Sequence, residues 1–313
     1  MSTHSKRSIP WTYGLLTTTA IFWGSAFTGS KLVVASVSPA VGAFIRFGLG
    51  AMFMMIILVS RNRQAMTIPR QYWLQIIFLG LMGVALYNWF FFMGLDFSKA
   101  TDGSMIIPVL SPVVTFLLAL VFLKERVTLW QGFGLFLALT GSLVFFSGIL
   151  SEGGLDHRRL IGDLTFLASA FCWSVYTMVG NRLLQQLDSF PVTAYAMLSG
   201  ALILGVIAAP DLIHVSWTDL GVDFWLIQIY LALFPTVLAN WFYSQGVQTL
   251  GPSKAAVFMY FVPVSGLILS GVILGERLTL VQMVGSMFML AGVWLVNRRQ
   301  KASAKRMTKE KAV

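Results

Sequence analysis

Apolar residues run through this chain in long blocks, each closed by a short polar or charged turn. Blocks near 12–34, 39–60, 73–95, 101–122, 129–149, 161–181, 190–209, 225–248, 254–274 and 280–297 approach the roughly 20 apolar residues that a helix needs to cross a bilayer. Spanning barrel strands alternate apolar and polar positions, and these blocks do not. Backbone groups in lipid must be paired within the spanning element, so the pattern predicts an all-α membrane protein with ten transmembrane helices. Lys31 and Arg46 make the first two blocks the least uniform. Lys6 and Arg7 ahead of the first block mimic a signal peptide, but no small-residue cleavage site follows and Lys31 interrupts, so the block is read as a retained span.

Composition agrees with lipid as the solvent. Of 313 residues, 57% are hydrophobic and 11% charged, where soluble domains carry roughly a quarter charged; the mean hydropathy is +0.78. The lone cysteine, Cys172, excludes an intrachain disulfide. A net charge of +10 raises nucleic acid as a partner. The basic residues, however, gather in turns and in a tail from Arg298 onward, as a membrane-orientation signal does. The expected partners are therefore the lipid bilayer and a small-molecule substrate, with no nucleic acid. With the N-terminus inside, the inner turns hold Arg61, Arg63, Arg70, Lys124, Arg126, Arg182 and Lys254, and the outer turns only Lys99, Arg158, Arg159 and Arg277. Both termini are expected in the cytoplasm.

The chain is written twice. "FLKERVTLWQGFG" at 122–134 returns as "ILGERLTLVQMVG" at 273–285. Asn88-Trp89-Phe90 with Gly94 matches Asn240-Trp241-Phe242 with Gly246; Trp23 aligns with Trp173, and Pro39 with Pro191. The expected organisation is a cytoplasmic segment 1–11, a five-helix repeat 12–150, an outer loop 151–160, a second repeat 161–297 and a basic cytoplasmic tail 298–313. Five is odd, so the second repeat enters the membrane upside down, the inverted repeat of secondary transporters.

The duplicated phrase reads as a structural turn. Thr128 with Gln131, and Thr279 with Gln282, have the spacing of a capping box that satisfies orphan N–H groups at a helix start. Glu125 and Glu276 suit the positive end of the same helix, and Arg126 and Arg277 mark the aqueous boundary.

These features, with "FWGSAFTGSKLV" (22–33), "SPAVGAFIRFGLGA" (38–51), "MIIPVLSPVVTFLLALVFLKERVT" (105–128) and "FVPVSGLILSGVILGERLT" (261–279), resemble the drug/metabolite transporter superfamily, specifically proteins with two tandem EamA domains. The resemblance covers about 12–297. It implies a ten-helix carrier of the cell inner membrane, often an exporter of amino acids, related metabolites or toxic compounds. It also implies a central cavity between the halves, with helices 1, 3, 4, 6, 8 and 9 around it.

Polar groups inside spans are costly and are candidates for function. Arg46 binds an anionic group or gates the outer side, or else snorkels or locks helices together; Asp102, Asp96 or a freed carbonyl is its expected partner. Lys31, nearer the water, reads as snorkelling. Asn88 and Asn240 hold a polar substrate or bridge helices. Trp23, Trp173, Tyr176 and Tyr260 are candidates for an aromatic cavity wall. Pro108 and Pro112 in the fourth span, and Pro263 in the ninth, free the carbonyls of Ser104, Pro108 and Met259 and mark expected hinges. Pro235 carries less weight, having no counterpart in the third span.

His4, His157 and His214 lie outside the blocks, and no intramembrane His, Cys or carboxylate cluster is visible, so no metal and no cofactor is expected. No P-loop is present. The chain is read as a secondary transporter, not an enzyme, moving small metabolites by alternating access with export as the expected direction; a passive channel is the alternative, and its usual filter loop or ring of charges is missing.

Overall fold

The computed structural model describes residues 9–60, 68–123, 129–151, 156–184, 186–250, 258, 261–292, 294 and 295. Among these residues the chain is helical, with no strand. The rods are α1 (Ile9–Val34), α2 (Pro39–Ser60), α3 (Arg70–Phe97), α4 (Ala100–Leu123), α5 (Leu129–Ser151), α6 (His157–Leu184), α7 (Ser189–Leu212), α8 (222–250), α9 (Phe261–Leu274) and α10 (Leu280–Gly292). Five stretches, Pro39–Ser60, Arg70–Phe97, His157–Gly180, Phe190–Leu212 and Val222–Tyr243, are long and apolar enough to cross a membrane; Phe261–Leu274 and Leu280–Gly292 are apolar but shorter.

Helix ends follow local chemistry. The Ser38 hydroxyl accepts the Val41 N–H at the start of α2, and Asp156 Oδ1 accepts the N–H groups of Arg158 and Arg159 at the start of α6. Gly275, at φ +68°, ends α9 in the left-handed conformation that glycine tolerates best.

The packing follows the duplication. α1 lies against α8 and α9, as α6 lies against α3 and α4; α2 meets α8 as α7 meets α3. α2 packs on α7, and α4 on α9. α5 meets α10 at glycine: a Cβ on Gly141 would stand 2.5 Å from the Met289 nitrogen, and one on Gly285 would stand 2.5 Å from the Phe145 nitrogen. Exchanging α1–α5 for α6–α10 therefore leaves this set of partners unchanged. Backbones approach this closely only where side chains are absent, the usual device for packing helices when lipid surrounds them.

Both α3 and α8 change helical winding midway. Gly80–Leu86 and Ala232–Leu238 are π-helical turns in otherwise α-helical rods. They fall in the same register relative to Asn88 and Asn240. A π turn inserts a residue, loosens the backbone pairing and is common at functional sites.

Candidate functional site

A cavity of about 110 Å³ lies at the centre of the bundle. Its wall draws on α1 and α2 (Trp23, Arg46), α3 and α4 (Tyr87, Asn88, Pro108), α6 and α7 (Trp173, Tyr176, Thr193), and α8 and α9 (Pro235, Thr236, Asn240, Val262). Both repeats thus contribute.

The aromatic part of the wall is continuous. Trp23 and Trp173, one from each repeat, meet edge to face with ring centroids 6.3 Å apart. Trp173 also contacts Tyr87 and Tyr176, each at 5.3 Å, and Trp23 contacts Tyr243 at 5.2 Å. The Trp23 indole donates to the Pro235 carbonyl at 3.1 Å, which fixes the ring while leaving its face to the cavity.

Arg46 is the charged member. It is 5% exposed. Its Nε donates to Thr236 Oγ1 at 3.0 Å, one terminal nitrogen donates to Ser30 Oγ at 3.1 Å, and the guanidinium lies 5.0 Å from the Phe47 ring centroid. Asp102 and Asp96, its expected partners, are engaged elsewhere: Asp102 with Arg159 at 2.8 Å and Asp96 with Arg158 at 3.5 Å. Among the described residues no carboxylate lies within ion-pair distance of Arg46. The physical reason is position: Asp96 and Asp102 belong to the α3–α4 end of the bundle, whereas α2 carries Arg46 inward to the π turn of α8.

Asn88 and Asn240 hold equivalent places on this wall. Asn88 Nδ2 donates to the Val84 carbonyl at 2.8 Å, and Asn240 Nδ2 to the Thr236 carbonyl at 2.5 Å. Each acceptor lies inside a π turn, where the normal backbone ladder is interrupted. One amide hydrogen in each residue thus serves its own helix, and the second hydrogen and the oxygen remain beside the cavity.

The prolines divide. Pro108 is buried on the cavity wall, and Pro263 is buried in α9; Pro112 lies within α4, one helical turn farther on. Pro235, which carries less weight in the sequence for want of a proline counterpart, sits inside the α8 π turn and lines the cavity. Its counterpart in α3 is Gly83, against which the Tyr176 ring packs: a Cβ on Gly83 would stand 2.2 Å from Tyr176 Cδ2. Two different residues serve the same irregularity, so matching prolines to prolines overlooks it. Thr236, Ser111 and Tyr87, also on the wall, are ordinary members of apolar runs and carry no sequence signal.

The duplicated turn is described in its second copy. The Gln282 N–H donates to Thr279 Oγ1 at 3.2 Å while Gln282 Oε1 accepts the Thr279 N–H at 2.9 Å, a reciprocal capping box. Glu276 departs from expectation. Its carboxylate accepts the N–H groups of Ala100 (3.1 Å) and Thr101 (2.8 Å), so it caps α4 rather than its own α10. The chain folds α10 beside the start of α4, and two free N–H groups there outcompete a more distant dipole. Lys31, read as snorkelling, donates to the Leu95 and Ser98 carbonyls at the end of α3. Arg277 is exposed. Gln131 lies in the first turn of α5. Glu125, Arg126, Thr128 and Tyr260 lie outside the described residues. Among the described residues no group of three or more His, Cys, Asp or Glu could hold a metal ion.

The EamA-like transporter family model matches this chain twice, over residues 10–147 and 160–298. The chain belongs to the EamA-like transporter family. With its long apolar helices, this makes it a multi-pass membrane protein of a transporter family in a lipid bilayer. Among its EamA relatives, the uncharacterized transporter YyaM of Bacillus subtilis is 30% identical over 285 residues, covering 90% of this chain and 92% of that one. A protein of Streptantibioticus cattleyicolor described as a "probable terminal-alkyne amino-acid exporter" is 28% identical over 299 residues, covering 91% and 92%. A solved structure with 20% identity superposes with a TM-score of 0.62, covering 92% of this chain and 98% of the other, and shares the fold.

Proposed function

We propose that this protein is a secondary carrier that holds a small carboxylate-bearing metabolite in the central cavity and moves it across the cell inner membrane by alternating access. The observation that carries the reading is Arg46: a buried guanidinium on a cavity wall shared by both repeats, held by two neutral hydroxyls and without a carboxylate partner among the described residues. A lone charge in a low-dielectric site is costly, and an arriving carboxylate supplies the missing partner with paired hydrogen bonds. The aromatic wall from Trp23 to Tyr176 then takes the apolar or cationic remainder of the ligand.

The cavity volume of about 110 Å³ is well below the roughly 300–1,000 Å³ of pockets for drug-sized ligands, which favours a small metabolite. The relative described as an amino-acid exporter supports an amino acid or related compound and outward transport. The family match to two tandem units and the exchange symmetry of their packing support two equivalent repeats. Their odd helix number supports opposite orientation, and the excess of Lys and Arg in the inner turns supports cytoplasmic termini. The π turns beside Asn88 and Asn240 are the flexing points together with Pro108, Pro112 and Pro263. Enzymatic turnover has no part in this reading.

Counterflow in liposomes tests it. A panel of labelled amino acids and other small carboxylates, chosen by metabolite profiling of cells with and without the protein, should include a compound showing counterflow with the wild type and at least tenfold weaker counterflow with Arg46→Gln. Uptake without counterflow indicates a passive channel. Equal transport of the compound and its carboxamide analogue refutes the role of Arg46.

A further inference from the structure

Away from the cavity, where the α3–α4 turn meets the starts of α6 and α10, two aspartates are buried together. Asp102 and Asp163 are both 0% exposed. Ser98 lies between them, its Oγ 3.1 Å from Asp102 Oδ2 and 2.6 Å from Asp163 Oδ1. A serine hydroxyl has one hydrogen to donate. It can serve one carboxylate, so the second short oxygen–oxygen contact requires a hydrogen from elsewhere.

The two acids are unequally supported. Asp102 is held as an anion: Arg159 Nε donates to Oδ2 at 2.8 Å, a second guanidinium nitrogen lies 2.8 Å from the same oxygen, and Gln282 Nε2 donates to Oδ1 at 3.3 Å. Asp163 has Ser98 on Oδ1, and its Oδ2 is buried with no hydrogen-bond partner among the described residues. The other charged groups nearby are occupied. Glu276 accepts the α4 N–H groups, Lys31 of α1 donates to the α3 carbonyls, and Arg158 pairs with Asp96. Half-buried Lys99, in the turn, attracts both carboxylates from farther away.

We propose that Asp163 is a proton-binding site: its carboxyl carries a proton that it donates to Ser98 Oγ, while the Ser98 hydrogen goes to the Asp102 carboxylate. Two carboxylates that share one bridging oxygen cannot both ionise without strong repulsion, and among the described residues the guanidinium in direct contact, Arg159, belongs to Asp102. Release sends the Asp163 proton to water and leaves two anions against one serine. The site joins the α3–α4 turn, α6 and α10. α4 continues to Ile107, Pro108 and Ser111 on the cavity wall, and α6 to Trp173 and Tyr176. Binding the proton therefore clamps this end of the bundle, and releasing it loosens the end. Its use as the coupling ion of transport rests on the carrier reading above; the occupancy of the site does not.

Infrared spectroscopy of the protein in lipid vesicles, titrated from pH 6 to pH 9, tests the site without any substrate. The wild type should show a protonated-carboxyl band at neutral pH that shifts in D2O and fades as pH rises. Asp163→Asn should remove it. Asp102→Asn should remove it too, because Arg159 then serves as the counter-ion of Asp163. Absence of the band in the wild type, its persistence in Asp163→Asn, or its loss on adding sodium at fixed pH overturns the proton assignment. Spin labels at positions 158 and 277 in a Cys172→Ser background read the clamp: their distance distribution should broaden with rising pH in the wild type and stay narrow in Asp163→Asn. A pH-independent distribution in the wild type overturns the clamp. If Asp163→Asn does not fold, Ser98→Ala serves instead, and an unchanged band titration in that variant overturns the bridge. None of these readings depends on Arg46, so counterflow can fail while the band is present, and the reverse.

Discussion

Asn88 and Asn240 make the same hydrogen bond in opposite halves of the molecule, each to the carbonyl four residues earlier and each to a carbonyl inside a π turn. Their first duty is to their own helices. Asn88→Leu and Asn240→Leu should each lower stability in detergent by about 0.6 kcal/mol, and at most ~1.7 kcal/mol, the range for single hydrogen bonds between groups inside membrane proteins. Thermal unfolding followed by circular dichroism measures this, and unchanged midpoints in both variants would remove the asparagines from the support of the π turns.

The α5–α10 contact has no room for a side chain. Gly141→Ala brings a methyl to within 2.5 Å of a backbone nitrogen and 2.7 Å of the Gly285 oxygen, atoms that cannot rotate aside. Overpacking of this kind costs about 1–3 kcal/mol. Gly14→Ala, where nothing lies within 4 Å, should be neutral or slightly stabilising in the same unfolding assay.

The capping box of α10 and the buried Asp102 share Gln282. Thr279→Ala should cost ~0.5–2 kcal/mol through the lost cap. Gln282→Ala should cost more, because it also withdraws the amide from Asp102 Oδ1. The double variant should fall short of the sum, since both substitutions remove the same reciprocal bonds; strict additivity in a double-mutant cycle contradicts the box.

Orientation can be read with thiol labelling. In a Cys172→Ser background, Arg277→Cys should react with an impermeant reagent from outside the cell, and Arg70→Cys only after the membrane is opened. Both positions are exposed. Labelling of both from the same side would contradict opposite orientation of the repeats.

The helical rods were legible because each is a long apolar block ended by polar residues, and lipid leaves such a block little alternative to helix. Trp23 and Trp173 were legible as a pair because the duplication puts them in register. The π turns were not: Gly80–Leu86 and Ala232–Leu238 share no residue pattern that marks an inserted position. The partner of Glu276 was not legible either: along the sequence the nearest helix start is that of α10, whereas α4 reaches the carboxylate only through the tertiary packing. The Asp102–Ser98–Asp163 contact was hidden for the same reason, its members coming from separate helices that only folding brings together.

A π turn is also a matter of counting. A residue added to an α-helix without lengthening its ladder turns everything beyond it by roughly 100°, the rotation per residue at 3.6 per turn. Removing one residue from 80–86 would leave α3 a good helix of nearly the same length but swing Asn88 and Phe91 off the cavity wall that they line. The same holds for 232–238 and Asn240. In α3 and α8, then, a one-residue deletion that a helix would ordinarily absorb re-addresses an entire face, and chain length within those two turns is as much a part of the site as any side chain.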